Sequence, residues 1–257
     1  MPGITGIFGL DAPEENASLL YRMIGPMKHE DFYSFDRYAN CDLGVFSALV
    51  TSKGSHPSNL VWNEPRTIGC LISGDAFGSS GAQADLIDLY EEFGLRALER
   101  LNGWFSGVLI DLQRRMSILF NDRYGLNRVY VHEQDGRLFF SSEAKSLLAV
   151  LPAQRELDPR GLGEWFSCGC VLGNRSLFRG VSLLPPGSAW IFSSDNGLNK
   201  KRYFHPSAWE TLPVLSAEDY YQQLTTVFPR ILGHYTNGSR PVAMSLTGGL
   251  DGRMIMA

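Results

Sequence analysis

The chain has 257 residues, 44% of them hydrophobic and 19% charged, enough to bury a sizeable core as one large domain or two small ones. A net charge of -4 removes the electrostatic case for DNA, RNA or an anionic membrane as partner and leaves small molecules or proteins. No apolar run approaches the roughly 20 residues that a membrane-spanning helix needs, and the start carries no basic stretch ahead of its short apolar one, so a cytoplasmic location is expected.

The opening run Ile4–Leu10, punctuated by Gly6 and Gly9, predicts a buried strand. Asn16 is expected to cap a helix that carries Leu19, Leu20, Met23, Ile24 and Met27 on one face, with Gly25-Pro26 limiting its end. Strands are expected at Leu43–Leu49 and Ile68–Ser73. Leu86, Tyr90 and Phe93, then Leu98 and Leu101, predict two helical pieces meeting near Gly94. Ser106–Asp111 and Met116–Asn121 read as a hairpin around the four residues Leu112-Gln113-Arg114-Arg115. Val129–His132 and Leu138–Ser141 repeat the pattern around Asp135-Gly136, a pair that tolerates positive φ. Helices are expected at Glu143–Val150 and Pro159–Phe166. Antiparallel strands mixed with helix pairs indicate an α+β layered domain.

After Phe204 the pattern changes. Residues 205–215 hold two prolines and no period, which reads as a linker between a domain at 1–204 and the start of another at 216–257. Ser216 and Asp219 open a helix with Tyr220, Leu224, Val227, Phe228, Ile231 and Tyr235 at helical spacing, which Pro229 is expected to kink or split. A strand at Pro241–Leu246 then runs into Thr247-Gly248-Gly249-Leu250-Asp251-Gly252-Arg253.

The four cysteines, Cys41, Cys70, Cys168 and Cys170, are scattered through a chain that needs no staples, so reduced thiols are expected. Cys168-Gly169-Cys170 invites a metal or redox reading, but no second Cys or His pair answers it as zinc requires, and no metal site is expected.

The terminal loop has the makings of a phosphate cradle. Glycines permit close backbone approach, a hydroxyl adds a donor, and a helix N-terminus adds partial positive charge. Ser245, Thr247, Gly248, Gly249, Asp251, Gly252 and Arg253 are its candidate ligands. The motif resembles the pyrophosphate loop of ATP-pyrophosphatase-type ligases, usually Ser-Gly-Gly-x-Asp-Ser. Thr247 matches conservatively; Gly252 departs from the last Ser, and Arg253 offers phosphate-binding charge beside it.

Four further blocks precede it in order: Leu101-Asn102-Gly103-Trp104-Phe105, Asn121-Asp122-Arg123-Tyr124-Gly125-Leu126, Ser141-Ser142-Glu143-Ala144-Lys145-Ser146-Leu147-Leu148, and Leu184-Pro185-Pro186-Gly187. Together they resemble the glutaminase domain of the asparagine synthetase superfamily. That resemblance implies a four-layer αββα N-terminal-nucleophile hydrolase-like sandwich, followed by the beginning of an α/β ATP-pyrophosphatase domain. It also implies a glutaminase whose first mature residue is Cys, with a thiolate that attacks the glutamine amide.

Here the start reads Met1-Pro2-Gly3-Ile4 where the family has Met-Cys-Gly-Ile, so the side-chain nucleophile is gone. The resemblance sets the family's Arg-Gly-Pro-Asp against about Lys28-His29-Glu30-Asp31, and lysine lacks arginine's bidentate grip on a carboxylate. Its Asn-Gly-Glu, which supplies the oxyanion-hole amide, becomes Ser73-Gly74-Asp75. The acid that holds glutamine's amino group falls near Ala82, with Asp85 as a replacement if the loop shifts. An alternative chemistry stays open: with Met1 removed, the secondary amine of Pro2 is a base or nucleophile, tuned by Lys28, His29 and Glu30, unless these three only form a solvated turn.

The resemblance thus implies the front part of an ATP-dependent amide-forming ligase, with ATP and magnesium in the complete protein and no cofactor for this chain alone. A non-catalytic scaffold or ligand-binding pseudo-glutaminase is the second reading. The expected partners are the remainder of the synthetase domain and a second copy of the chain. Only six residues follow Asp251, so the chain reads as a fragment or a natural truncation of a longer protein.

Overall fold

The structure is a computed structural model that describes residues 3–53, 60–76, 82–236 and 243–256. The chain divides into two compact units, Met1–His205 and Pro206–Ala257. The first is built from β1 (Gly3–Phe8), α1 (Pro13–Met27), β2 (Tyr33–Asn40), β3 (Val45–Ser52), β4 (Val61–Trp62), β5 (Ile68–Ala76), α2 (Ala82–Phe93), α3 (Ala97–Arg100), β6 (Gly103–Asp111), β7 (Met116–Asn121), β8 (Tyr130–Gln134), β9 (Arg137–Ser141), α4 (Ala144–Val150), α5 (Pro159–Cys168), β10 (Ser182–Leu183), β11 (Ser188–Ser193) and β12 (Gly197–Arg202).

The strands form two antiparallel six-stranded sheets, ordered β10-β8-β9-β1-β3-β2 and β12-β11-β7-β6-β5-β4. The period-2 alternation of their sequences decides how they stack. In β1, Ile4 and Phe8 join Val45, Leu49, Leu71, Val108, Ile110 and Leu119 in a core between the sheets. Ile7, one step out of phase, faces the other way into a core with Leu20, Met23 and Met27 of α1 and Leu147 of α4. In β5, Leu71 points to the inter-sheet core while Cys70 and Ile72 meet Leu86 and Tyr90 of α2 and Leu98 of α3. Three apolar layers therefore hold four structural ones, helices–sheet–sheet–helices, as the resemblance implied. Each fully buried large side chain is worth about 1.5–3 kcal/mol, so no single contact fixes the stack.

Several boundaries differ from the sequence reading. Asn16 is not a cap: α1 begins at Pro13, whose missing N–H is no loss in a first turn, and Asn16 lies inside it, fully buried. Its Nδ2 reaches back to the carbonyls of Gly9 (3.3 Å) and Asp11 (2.8 Å), tying the helix entrance to the end of β1. Helix α1 runs past Gly25-Pro26 to Met27. Leu43 lies in a turn before β3, where its N–H donates to Asn40 Oδ1 (3.0 Å) and Gly44 takes φ 62°. The Asp135-Gly136 turn is as expected, with φ 51° and 71°, mirror-type values that match strand twist. Strands β2, β4, β10, β11 and β12 lie outside the sequence reading.

The second unit contains a 3-10 turn at Pro206–Thr211 and helices α6 (Ala217–Thr236) and α7 (Leu250–Met256). Ser216 Oγ accepts the Asp219 N–H (3.1 Å) and donates to Asp219 Oδ2 (2.7 Å), the capping interaction expected there. Pro229 does not split α6, which is continuous; the Thr225 carbonyl that the proline leaves without its N–H lies on an exposed stretch. The expected strand at 241–246 is absent over its described part, 243–246, because the described residues of this unit offer no strand to pair with it. Residues 241 and 242 lie outside the described residues. No helix among the described residues is long and apolar enough to cross a membrane.

Candidate functional site

Three of the four sequence blocks converge on one buried carboxylate. Asp122, 1% exposed, follows β7, and its Oδ1 accepts the N–H groups of Tyr124 (3.0 Å) and Leu126 (3.1 Å) while Oδ2 accepts that of Asn127 (3.0 Å). The loop after β7 is thus wound around an acid whose lone pairs are filled from the backbone. Its main chain joins the other blocks: the Asp122 N–H donates to the Phe105 carbonyl (2.8 Å), and its own carbonyl accepts from Gly187 (2.9 Å). Asn121 clamps the Leu184-Pro185-Pro186-Gly187 segment by donating to the carbonyls of Leu184 (3.2 Å) and Pro185 (3.0 Å) and accepting the Ser188 N–H (2.9 Å). Arg123 donates to Asn102 Oδ1 and the Glu99 carbonyl.

This loop in turn fixes Ser73-Gly74-Asp75. Ser73 pairs with Ser106 across β5 and β6; Asn127 Nδ2 donates to the Ser73 carbonyl (3.1 Å), and Ser106 Oγ donates to Asn127 Oδ1 (3.1 Å). Gly74 takes φ 97°, and a β-carbon there would lie 2.1 Å from the Trp104 carbonyl oxygen and 2.6 Å from Asn127 Nδ2. Only glycine fits. Ser73 is buried, whereas Gly74 and Asp75 are exposed. Asn127 and Ser106 are site-building residues that sequence reasoning missed, although Asn127 directly follows the second block.

A second group gathers at the start of β1. The Ile4 N–H donates to Ser142 Oγ (3.0 Å) and the Ser142 N–H to the Ile4 carbonyl (2.8 Å), a reciprocal lock on the start of this strand. A β-carbon on Gly3 would sit 2.4 Å from Ser142 Cβ, so glycine is required for this approach. Thr5 Oγ1 and Ser146 Oγ share a hydrogen bond (3.0 Å), and Ser146 Oγ donates to the Met23 carbonyl (2.7 Å). Lys28, just after α1, places Nζ 5.1 Å from the Phe35 ring centre. His29 Nδ1 lies 3.1 Å from the Met27 carbonyl and 3.4 Å from Lys145 Nζ, which is paired with Glu143 at 2.8 Å. Burial works to raise the Glu143 carboxyl, and the positive charge beside it, Lys145 included, outweighs that and holds it below the usual carboxylate range.

The remaining candidates stand as follows. Pro2 lies outside the described residues. Ala82 is the first residue of α2, and Asp85 belongs to its first turn. Cys70 packs in the core beneath α2 and α3, and burial pushes its thiol far up, out of reach of nucleophilic chemistry at neutral pH. Thr247 Oγ1 accepts the Gly249 N–H (3.3 Å); Ser245, Thr247, Gly248, Gly249, Asp251 and Arg253 are exposed, and Gly252 is partly covered by Met244 and Leu246. Among the described residues no group of three or more His, Cys, Asp or Glu could hold a metal.

Two stacked antiparallel sheets covered by helices, with the N-terminal strand at the centre of one sheet, give the fold of an N-terminal-nucleophile-hydrolase-like sandwich. The chain belongs to the glutamine amidotransferase domain family, which its residues 64–204 match. It is 29% identical over 177 residues to amidase chyE of Penicillium rubens, covering 65% of this chain and 24% of that protein. It is 23% identical over 273 residues to asparagine synthetase [glutamine-hydrolyzing] 3 of Arabidopsis thaliana, covering 99% of this chain and 42% of that one. The chain spans less than half the length of these relatives. A solved structure of the allosteric regulatory enzyme of purine biosynthesis shares the fold, with TM-score 0.51 at 13% identity over 78% of this chain and 48% of that one.

Proposed function

We propose that this chain is the amidotransferase-like part of an asparagine synthetase-like, ATP-dependent amide-forming ligase, and that its own glutaminase chemistry is lost. The observation that carries the second half is Pro2. An acyl-enzyme route needs a side-chain nucleophile at the head of β1, and proline has none. Ser73 supports the reading: where the family pattern sets a side-chain amide donor for the oxyanion, this chain has a buried hydroxyl. Lys28 supports it too, since an ammonium resting near Phe35 makes no bidentate carboxylate grip. Nitrogen would then come from free ammonia or from an amine on a second substrate. ATP and magnesium would act in a completed synthetase domain in the cytoplasm, with the present fold as its structural partner.

Glutamate release from glutamine by the purified chain tests this directly. No turnover above background is expected, and Pro2→Cys alone is expected to leave it there, because the donor and the carboxylate grip remain changed. Turnover by the unaltered chain would overturn the proposal; strong activity in Pro2→Cys would show that Pro2 is the whole of the defect.

A further inference from the structure

Cys168-Gly169-Cys170 is the one chemical motif in the sequence that the amidotransferase reading leaves unused. Both thiols are free and exposed. Cys168 is the last residue of α5, and Gly169 terminates that helix in the left-handed region (φ 74°), its N–H donating to the Trp165 carbonyl (2.9 Å). This glycine reverses the chain at once. Cys168 Sγ lies 3.0 Å from the Glu164 carbonyl oxygen, to which it donates, and 3.6 Å from the Cys170 carbonyl oxygen, so residue 170 is folded back against residue 168. The segment that follows is held in place from within the helix: Glu164 Oε2 accepts the Leu172 N–H (2.9 Å), and Oε1 pairs with Arg175 and, at 3.3 Å, with Arg160. Two accessible thiols one residue apart, brought together by a helix cap and anchored on both sides, are arranged for a reaction that uses both.

We propose that Cys168 and Cys170 form a reversible dithiol–disulfide site that is closed by low-molecular-weight disulfides. The chemistry balances without a metal or a further co-reactant. A thiolate of one cysteine attacks the external disulfide, forming a mixed disulfide and releasing one thiol equivalent. The second cysteine, after losing its proton to solvent, then attacks the protein sulfur of that mixed disulfide and releases the second. Both cysteines are oxidised, and one external disulfide is reduced to two thiols. Closure breaks the Cys168 S–H bond to Glu164. The Cys170 thiol is held above its usual value, first by partial desolvation, then by Cys168 beside it and by the Glu164 carboxylate. Oxidation of the pair therefore accelerates as pH rises.

The test uses the full chain in glutathione buffers of graded oxidising power, quenched and digested with trypsin. Cleavage after Arg160 and Arg175 gives one peptide that contains Cys168 and Cys170 and no other cysteine. In the oxidising buffers this peptide is expected to lose two hydrogens and to regain them on addition of excess thiol. Cys168→Ser and Cys170→Ser should each instead leave a lasting glutathione adduct on the remaining cysteine. The proposal is overturned if the peptide stays a dithiol, carries glutathione on both cysteines, or cross-links to a second chain. The exposed Cys41 serves as the internal control, reporting simple glutathione addition in the same digest.

Discussion

Replacing Asp122 is the sharpest probe of the site's construction. In Asp122→Ala three backbone N–H groups, of Tyr124, Leu126 and Asn127, lose a carboxylate acceptor at 3.0–3.1 Å. Hydrogen bonds to a charged group contribute about 1.5–3 kcal/mol each, and a buried donor left unpaired costs about 1–3 kcal/mol. Tyr124 and Leu126 are exposed residues whose N–H groups can be rehydrated as the loop relaxes, which places the expected loss near the low end, about 3–5 kcal/mol. Asp122→Asn separates charge from geometry. Its amide oxygen can still serve Tyr124 and Leu126, but its NH2 then faces the Asn127 N–H, donor against donor, for a loss of about 1.5–2.5 kcal/mol. Urea unfolding followed by near-ultraviolet circular dichroism, read as a midpoint shift at constant slope, measures both. A cost below about 1 kcal/mol for Asp122→Ala, or equal costs for the two variants, would refute the view that this carboxylate organises the loop.

Asn16→Ala should destabilise by about 1–3 kcal/mol, read by the same unfolding assay, because it strips a donor from the buried carbonyl of Gly9 and another from that of exposed Asp11. A loss below that range would return the helix entrance to Pro13 alone. Glu143→Gln tests the charge balance at the start of β1. Since the folded carboxyl is held low, its stabilising contribution is complete above the ordinary carboxylate range and is lost as pH falls through the folded value. Wild type should exceed the variant at neutral pH and converge with it in acid; a gap that persists at low pH would point to packing instead.

How much of the fold was legible depended on how strongly each segment's burial alternates. Met116–Asn121 was delimited to the residue, because Ile118 and Leu119 face opposite apolar layers and the flanking turns are polar. Strand β2 escaped because it lies at a sheet edge and its Ser34, Asp36, Arg37 and Asn40 give no apolar stripe; only pairing with β3 makes it a strand. Strand β12 carries Asn199, Lys200, Lys201 and Arg202 and is defined the same way, by β11. The strand expected at 241–246 is the converse case. Its described residues are apolar enough, but a strand is a shared structure, and no described segment of the second unit supplies the other half.

The site was legible for a different reason. The four blocks looked unrelated as local chemistry, each a turn or a helix start, and composition gave no sign that they belong together. In the fold three of them are parts of one hydrogen-bonded assembly, and the fourth, through Ser142, locks the start of β1. Asn121 and Asp122 reach Phe105, Leu184, Pro185 and Gly187, Arg123 reaches Asn102, and Asn127 carries the arrangement on to Ser73. Residues that satisfy one another's buried polar groups cannot change singly without leaving a donor or acceptor unpaired, a penalty of about 1–3 kcal/mol each time. Groups that act on substrate carry no such structural penalty once the reaction is given up. A framework kept whole around Pro2, Lys28 and Ser73 is therefore what this physics expects if, as proposed, the glutaminase chemistry has been given up.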